Sequence, residues 1–253
     1  MTVAENLKNV RERIARAGRD PGEITIVAVT KGFGPEVCQA ALDAGLKILG
    51  ENRVQEAVGK MDLVQGAVWH LVGHLQTNKA RIAAGRFALI HSIDSERVAE
   101  ALARIDVEQK VLVEVNVARD PRKTGVPPED AARVIDAVAE TLDLQGLMAM
   151  GPAERDPRPA FDELRALRDA AQERLGRSLP ILSMGMSGDF ETAVAAGSTM
   201  LRLGQVLFGP RPVPPQSGGG GRAAAGGASG RSAGSDPSSS RTCCWSRRPA
   251  RRA

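Results

Sequence analysis

Tyrosine is absent from this 253-residue chain, so no phenol is available as an acid or a base. Cysteine is scarce: Cys38, Cys243 and Cys244 have neither metal-ligand spacing nor the pattern of a disulfide framework, which points to a reducing, cytoplasmic setting. No apolar stretch reaches the length of a membrane span, and Met1-Thr-Val-Ala-Glu-Asn-Leu-Lys8 has no signal-peptide core. The expectation is a soluble chain with no membrane partner and no recognisable export signal. Excess positive charge is missing from most of the chain as well. The formal charge is +4, yet residues 211–253 carry eight arginines against one aspartate, which leaves residues 1–210 at −3. That excludes specific nucleic-acid binding by the fold, while the basic tail can hold polyanions loosely.

What is present is an alternation. Leu7, Val10, Ile14 and Ala17 recur at helical spacing among charged residues, so one amphipathic helix precedes Gly18. Ile24-Thr-Ile-Val-Ala-Val-Thr30 is apolar and β-branched without alternation, as in a strand buried on both faces of a parallel sheet, and it stops at Lys31. Further strands are predicted at 46–49, 68–72, 87–90, 110–117, 144–150, 180–184 and 199–203. Helical patterns separate them: Pro35 opens one, Asn52 another, one starts near Gln76, and Asp94 is placed as the N-cap of the next. Ala131, Val134, Ile135 and Val138 mark a buried helix face, and so do Phe161, Leu164, Leu167 and Ala171 in the longest helix, 158–175. Eight strand–helix units predict an α/β fold, a closed (β/α)8 TIM barrel with an additional N-terminal helix.

Residues 1–212 form the expected barrel domain. From 213 the composition turns to Gly, Ala, Ser and Arg with almost no apolar periodicity, so 213–253 is read as a disordered tail, and its abrupt onset as non-native or frameshifted coding.

Chemistry in such barrels sits at the carboxyl ends of the strands, with phosphate commonly held after strands seven and eight. Those ends read Lys31, Asn52, His74, Ser92, Asn116, Met148, the Ser183-Met-Gly-Met-Ser187 turn and Arg202. Taken singly, each has a plain explanation. Asn52 and Ser92 cap helices, Asn116 satisfies a turn, His74 braces the Gly73–Lys79 loop, and Lys31 lays its stem over the core with its head in water. Their gathering on one rim points to a site. A lysine in a partly desolvated pocket loses proton affinity and can form a Schiff base with a carbonyl. Ser183 to Phe190 sets hydroxyls and freely placed backbone N–H groups before a helix start, which attracts an anion, and Leu203-Gly-Gln205 adds a second close backbone approach. Arg202 reads equally as an ion-pair partner or as a donor to the ring nitrogen of an aromatic cofactor. Lysine, cradle and arginine together indicate pyridoxal 5′-phosphate (PLP).

Ala28-Val-Thr-Lys31, Gly50-Glu-Asn-Arg-Val-Gln-Glu56, Trp69-His-Leu-Val-Gly-His-Leu-Gln-Thr-Asn-Lys79, Gly146-Leu-Met, Ser183-Met-Gly-Met-Ser187 and Ala195-Ala-Gly-Ser-Thr-Met-Leu-Arg-Leu-Gly204 resemble the motifs of the pyridoxal-phosphate homeostasis protein family. That family is similar to the barrel domain of alanine racemase. The resemblance runs from about residue 5 to 211. It implies that Lys31 carries the cofactor, that Ser183, Ser187, Gly204 and Gln205 surround its phosphate, and that Arg202 faces its pyridine nitrogen, with Asn52 and His74 nearby. Departures are Gly32-Phe-Gly after the lysine, Ala149 for a common threonine and Gln205 for a small hydroxyl residue. Lys123 matches a family lysine and reads equally as a transient cofactor acceptor or a solvated loop residue.

A guanidinium does not give up its proton, so a pyridine facing it stays unprotonated and is a weaker electron sink. Racemases of similar barrel use a second base, a tyrosine on an added domain; this chain has no tyrosine. The expected role is therefore reversible PLP carriage in intracellular homeostasis by a monomer, without strong catalysis, with apo PLP-dependent enzymes as recipients. Slow racemisation or transamination with Lys31 as single base is the alternative, and a protein-binding scaffold a third class.

Overall fold

The computed structural model describes residues 1–211. The expected tail, 213–253, lies outside the described residues. Eight strands, β1 Thr25–Val29, β2 Ile48–Glu51, β3 Val68–Leu71, β4 Leu89–Ile93, β5 Lys110–Glu114, β6 Asp143–Met148, β7 Ile181–Ser183 and β8 Met200–Leu203, pair in chain order. All pairs are parallel, and β8 returns to β1 with Val27 opposite Arg202, closing the barrel.

The helices are α1 Val3–Arg16, α2 Pro35–Asp43, α3 Val54–Met61, α4 Ala80–Ala83, α5 Glu96–Ala103, α6 Ala131–Thr141, α7 Arg158–Leu175, α8 Phe190–Ala195 and α9 Gln205–Phe208. α1 precedes the barrel and packs on α2, α8 and α9. It starts at a capping box between Thr2 and Glu5 and buries Leu7, Val10 and Ile14. Two polar ties fix it: Asn6 Nδ2 donates to the Leu207 carbonyl at 2.8 Å, and Arg13 pairs with Glu191 while lying over the Phe190 ring.

Two apolar layers hold the fold. The larger lies between the outer sheet face and the helices; the smaller, Val27, Leu89, Leu112, Met148 and Met200 with Ile48, Val72 and Ile181, comes from strands and their ends and plugs the barrel interior. Gly146 is required on β6, because a methyl group there would overlap the carbonyl of Ile181 on β7.

Several predicted boundaries shift. β4 runs later than expected because His91 and Ser92, both fully buried, continue it; a hydrogen-bonded polar residue is tolerated inside a barrel. Strand five stops at Glu114, and only an isolated bridge joins Val115 to Val126. The helix expected near Gln76 begins as a 3₁₀ turn, Thr77–Lys79, before α4. Asp94 is not the cap of α5: Ser95 holds that position, and the Asp94 carboxylate binds His74 Nδ1 at 2.8 Å. Arg53, not Asn52, precedes the first turn of α3.

Candidate functional site

Lys31 lies two residues beyond the end of β1, and both its neighbours are tethered. Lys60 of α3 is buried and donates to the Thr30 carbonyl at 3.0 Å, to Glu51 Oε1 at 2.7 Å and to Glu56 Oε1 at 2.9 Å. The Thr30 hydroxyl donates to the same Glu51 oxygen at 2.6 Å, while the Gly32 N–H donates to Glu56 Oε1 at 2.7 Å. Gly32 turns the chain with φ +75°, a conformation open to glycine. The amine of Lys31 is thus held at the end of a fixed strand. Burial lowers its proton affinity first, and the positive charges of Arg211 and Arg202 lower it further against the opposing pull of Glu51 and Glu56.

Arg202, on the inner face of β8, is 5% exposed. Its Nη1 donates to the carbonyl and the hydroxyl of Ser183, both at 2.7 Å, and its Nη2 to the Ala149 carbonyl at 2.8 Å. Of its five N–H groups, the one on Nε and one on Nη2 find no acceptor among the described residues. Burial pulls this guanidinium down to about 10, so at neutral pH it stays a cation and a donor.

A cavity of about 500 Å³ opens between these groups. Lys31, Asn52, Ser187, Arg202, Gly204 and Gln205 line it, so six of the eight residues singled out in the sequence come together. Apolar side chains, Val29, Val72 and Met186 among them, share the wall with these polar groups. On one side the backbone N–H groups of Ser187, Gly188 and Gln205 find no acceptor among the described residues, and Ser187 Oγ accepts the Val206 N–H at 3.2 Å. Unpartnered N–H groups beside an amine and a guanidinium suit an anion-bearing, carbonyl-bearing aromatic molecule.

The alanine racemase N-terminal domain family matches residues 2–212. The pyridoxal phosphate homeostasis protein of Aquifex aeolicus is 39% identical over 226 residues, covering 83% of this chain and 99% of that protein. The chain belongs to this family. The Escherichia coli K12 member is 38% identical over 83% of this chain and 97% of its own length. Among solved structures, PipY of Synechococcus elongatus with PLP bound has a TM-score of 0.72 at 33% identity, covering 82% of this chain and all of that one. Alanine racemase from Corynebacterium glutamicum, 19% identical with a TM-score of 0.68 over 86% of this chain and 62% of its own, shares the fold.

Two residues that the family motifs suggested lie off the cavity wall. Ser183 is fully buried beneath it, with its hydroxyl taken up by Arg202 and by His91 Nδ1 at 3.0 Å. His74 is bound to Asp94, because the loop after β3 turns it toward α5. Asn116 closes its own loop on the Asp120 carbonyl at 2.9 Å, Ser92 Oγ donates to the Gly73 carbonyl at 2.6 Å, and Lys123 Nζ donates to the Gly151 carbonyl at 2.8 Å. Arg211, Phe33 and Lys60 also belong to the site's surroundings, though no sequence motif marks them. Arg211 and Phe33 line the cavity mouth, where Phe33 packs edge-on against Phe208 at 5.6 Å. Lys60 carried one readable signal, its i,i+4 spacing from Glu56 beside the strand-end Glu51. Among the described residues no helix is long and apolar enough to cross a membrane.

Proposed function

We propose that the chain binds PLP through a Schiff base to Lys31 and serves PLP homeostasis as a carrier without strong catalysis of its own. The observation that carries this reading is the convergence, in one cavity, of an amine with lowered proton affinity, an arginine with two N–H groups and three backbone N–H groups that find no acceptor among the described residues. The relatives' names and the PLP-bound PipY structure support it. When bound, PLP supplies an electrophilic aldehyde and a conjugated ring that can take up electron density.

This chain's residues account for the rest. Ser187, Gly188, Gly204 and Gln205 receive the phosphate by backbone N–H and close approach, and Asn52 lies at the same cavity wall. Arg202, a cation at neutral pH, would donate to the ring nitrogen and keep it unprotonated, which would weaken the electron sink. Among the described residues lining the cavity, Lys31 is the one group able both to take and to give a proton at ordinary pH, since arginine cannot. Racemisation needs a base on each face of the substrate; one base favours carriage. Apo PLP-dependent enzymes are the proposed recipients, and the proposed state is a cytoplasmic monomer.

A visible absorption scan with added PLP, followed by borohydride reduction and peptide mapping, tests the reading. A yellow band trapped on Lys31 and lost in Lys31→Ala is expected. Label spread over surface lysines would sink it. Transfer of PLP to an apo-enzyme, against measurable turnover of an amino acid, separates carrier from enzyme.

A further inference from the structure

We infer that His91 and Ser183 are positioning residues for Arg202, joined with His70 in a one-way hydrogen-bond chain that crosses the barrel interior. The chain runs Arg202 Nη1 to Ser183 Oγ at 2.7 Å, Ser183 Oγ to His91 Nδ1 at 3.0 Å, and His91 Nε2 to His70 Nδ1 at 3.0 Å. It links β8, β7, β4 and β3. All four residues are at most 5% exposed.

Its direction follows from donor and acceptor chemistry. Arg202 can only donate, so the serine oxygen accepts from it. The serine hydrogen then needs an acceptor, and among the described residues His91 Nδ1 is the one in reach. With Nδ1 accepting, the neutral His91 ring carries its hydrogen on Nε2 and donates to His70 Nδ1; His70 in turn carries its hydrogen on Nε2. The reverse direction would put hydrogens on both Nδ1 atoms and leave the serine O–H buried without a partner. The guanidinium charge favours the same direction, since every dipole in the chain then presents its negative end toward the cation. Burial holds both rings neutral: the pKa of His70 falls to about 4, and that of His91, lowered further by His70 and by the Arg202 charge, lies well below the usual histidine value.

A serine hydroxyl free to rotate would offer Arg202 a wandering acceptor. Fixed by His91, it pins Nη1, while the Ala149 carbonyl pins Nη2, so the two unpartnered N–H groups keep one direction. The effect on the cofactor rests on the function proposed above; the hydrogen placement does not.

The test uses the full chain. It contains three histidines, so nitrogen-15 NMR of the cofactor-free protein can assign each ring by single substitution. Both His70 and His91 should show the Nε2–H form; both Nδ1–H forms, or rings averaging between forms, overturn the chain. His91→Phe should weaken PLP binding roughly tenfold, the worth of one well-made hydrogen bond, and move the absorption band of the bound cofactor. His91→Asn places an amide oxygen near the Nδ1 position and should restore most of the binding. His91→Gln, reaching the Nε2 position, should not. A cooperatively folded His91→Phe protein with unchanged PLP affinity and spectrum overturns the positioning role. A wild-type chain with the expected ring forms and no PLP binding would instead sink the proposed function and leave the chain standing.

Discussion

The amine of Lys31 is set apart from the other lysines by where the strand delivers it: half-buried, and with two guanidinium groups close enough to repel its proton. Its neutral form is therefore populated at lower pH than that of a surface lysine, and the neutral form is what attacks an aldehyde. The rate of PLP incorporation, read by borohydride trapping across a pH series, should rise with pH through a midpoint below the 10.5 of an ordinary lysine. Arg211→Gln removes one repelling charge and should move that midpoint upward. An unshifted midpoint in the variant would remove Arg211 from the account. Lys31 and Arg202 were legible in the sequence because a charged residue that ends or interrupts a buried strand has few explanations. Arg211 was not: it follows α9 and reaches the cavity mouth through a chain reversal at Gly209, whose φ is +78°, and no periodicity records such a turn.

At the scale of elements, β2 and α3 bring a buried carboxylate, Glu51, against a buried ammonium, Lys60. Glu51 is fully buried, one of its oxygens has no partner among the described residues, and burial raises its pKa against the pull of Lys60 and Thr30. Lys60→Met leaves that carboxylate without its cation and should reduce stability by about 3–5 kcal/mol, as removal of one member of a buried pair does. The loss is measurable as a lower urea midpoint. Adding Glu51→Leu to Lys60→Met should recover most of it, and a double variant as weak as the single one would show that the pair itself stabilises the fold. Gly146→Ala should be more damaging still, since the β6–β7 pairing has no room for the methyl group; its soluble yield against wild type is the check. Strands and long helices were readable because burial on two faces or one leaves a period in the sequence. Caps were less so. Asp94 and Asn52 have the right chemistry for N-caps, yet the turns place Ser95 and Arg53 there, and Asp94 is drawn to His74.

For the molecule as a whole, a ligand held by residues from opposite ends of the chain binds the folded state and not the unfolded one. PLP at about a hundredfold above its Kd should stabilise the protein by about 2.7 kcal/mol, a rise in Tm of roughly 5–10 °C for a domain of this size. Lys31→Ala should abolish the rise, and a rise surviving in that variant would mean that binding does not depend on Lys31. The closed barrel was legible from eight alternating units, whereas the histidine chain inside it was not, because it depends on which residues face one another across the interior. Sheet closure has one more consequence. Lys31, just beyond β1, and Arg202, on β8, come together only because β8 pairs with β1, and about 170 residues separate them in the chain. At the pace of ribosomal synthesis, roughly 5–20 residues per second, the reactive amine emerges some ten to thirty seconds before its arginine. Until then the lysine has no cavity, no cradle and no depressed proton affinity. Under the proposed carriage, a nascent chain therefore has no assembled aldehyde site until the last strand has docked.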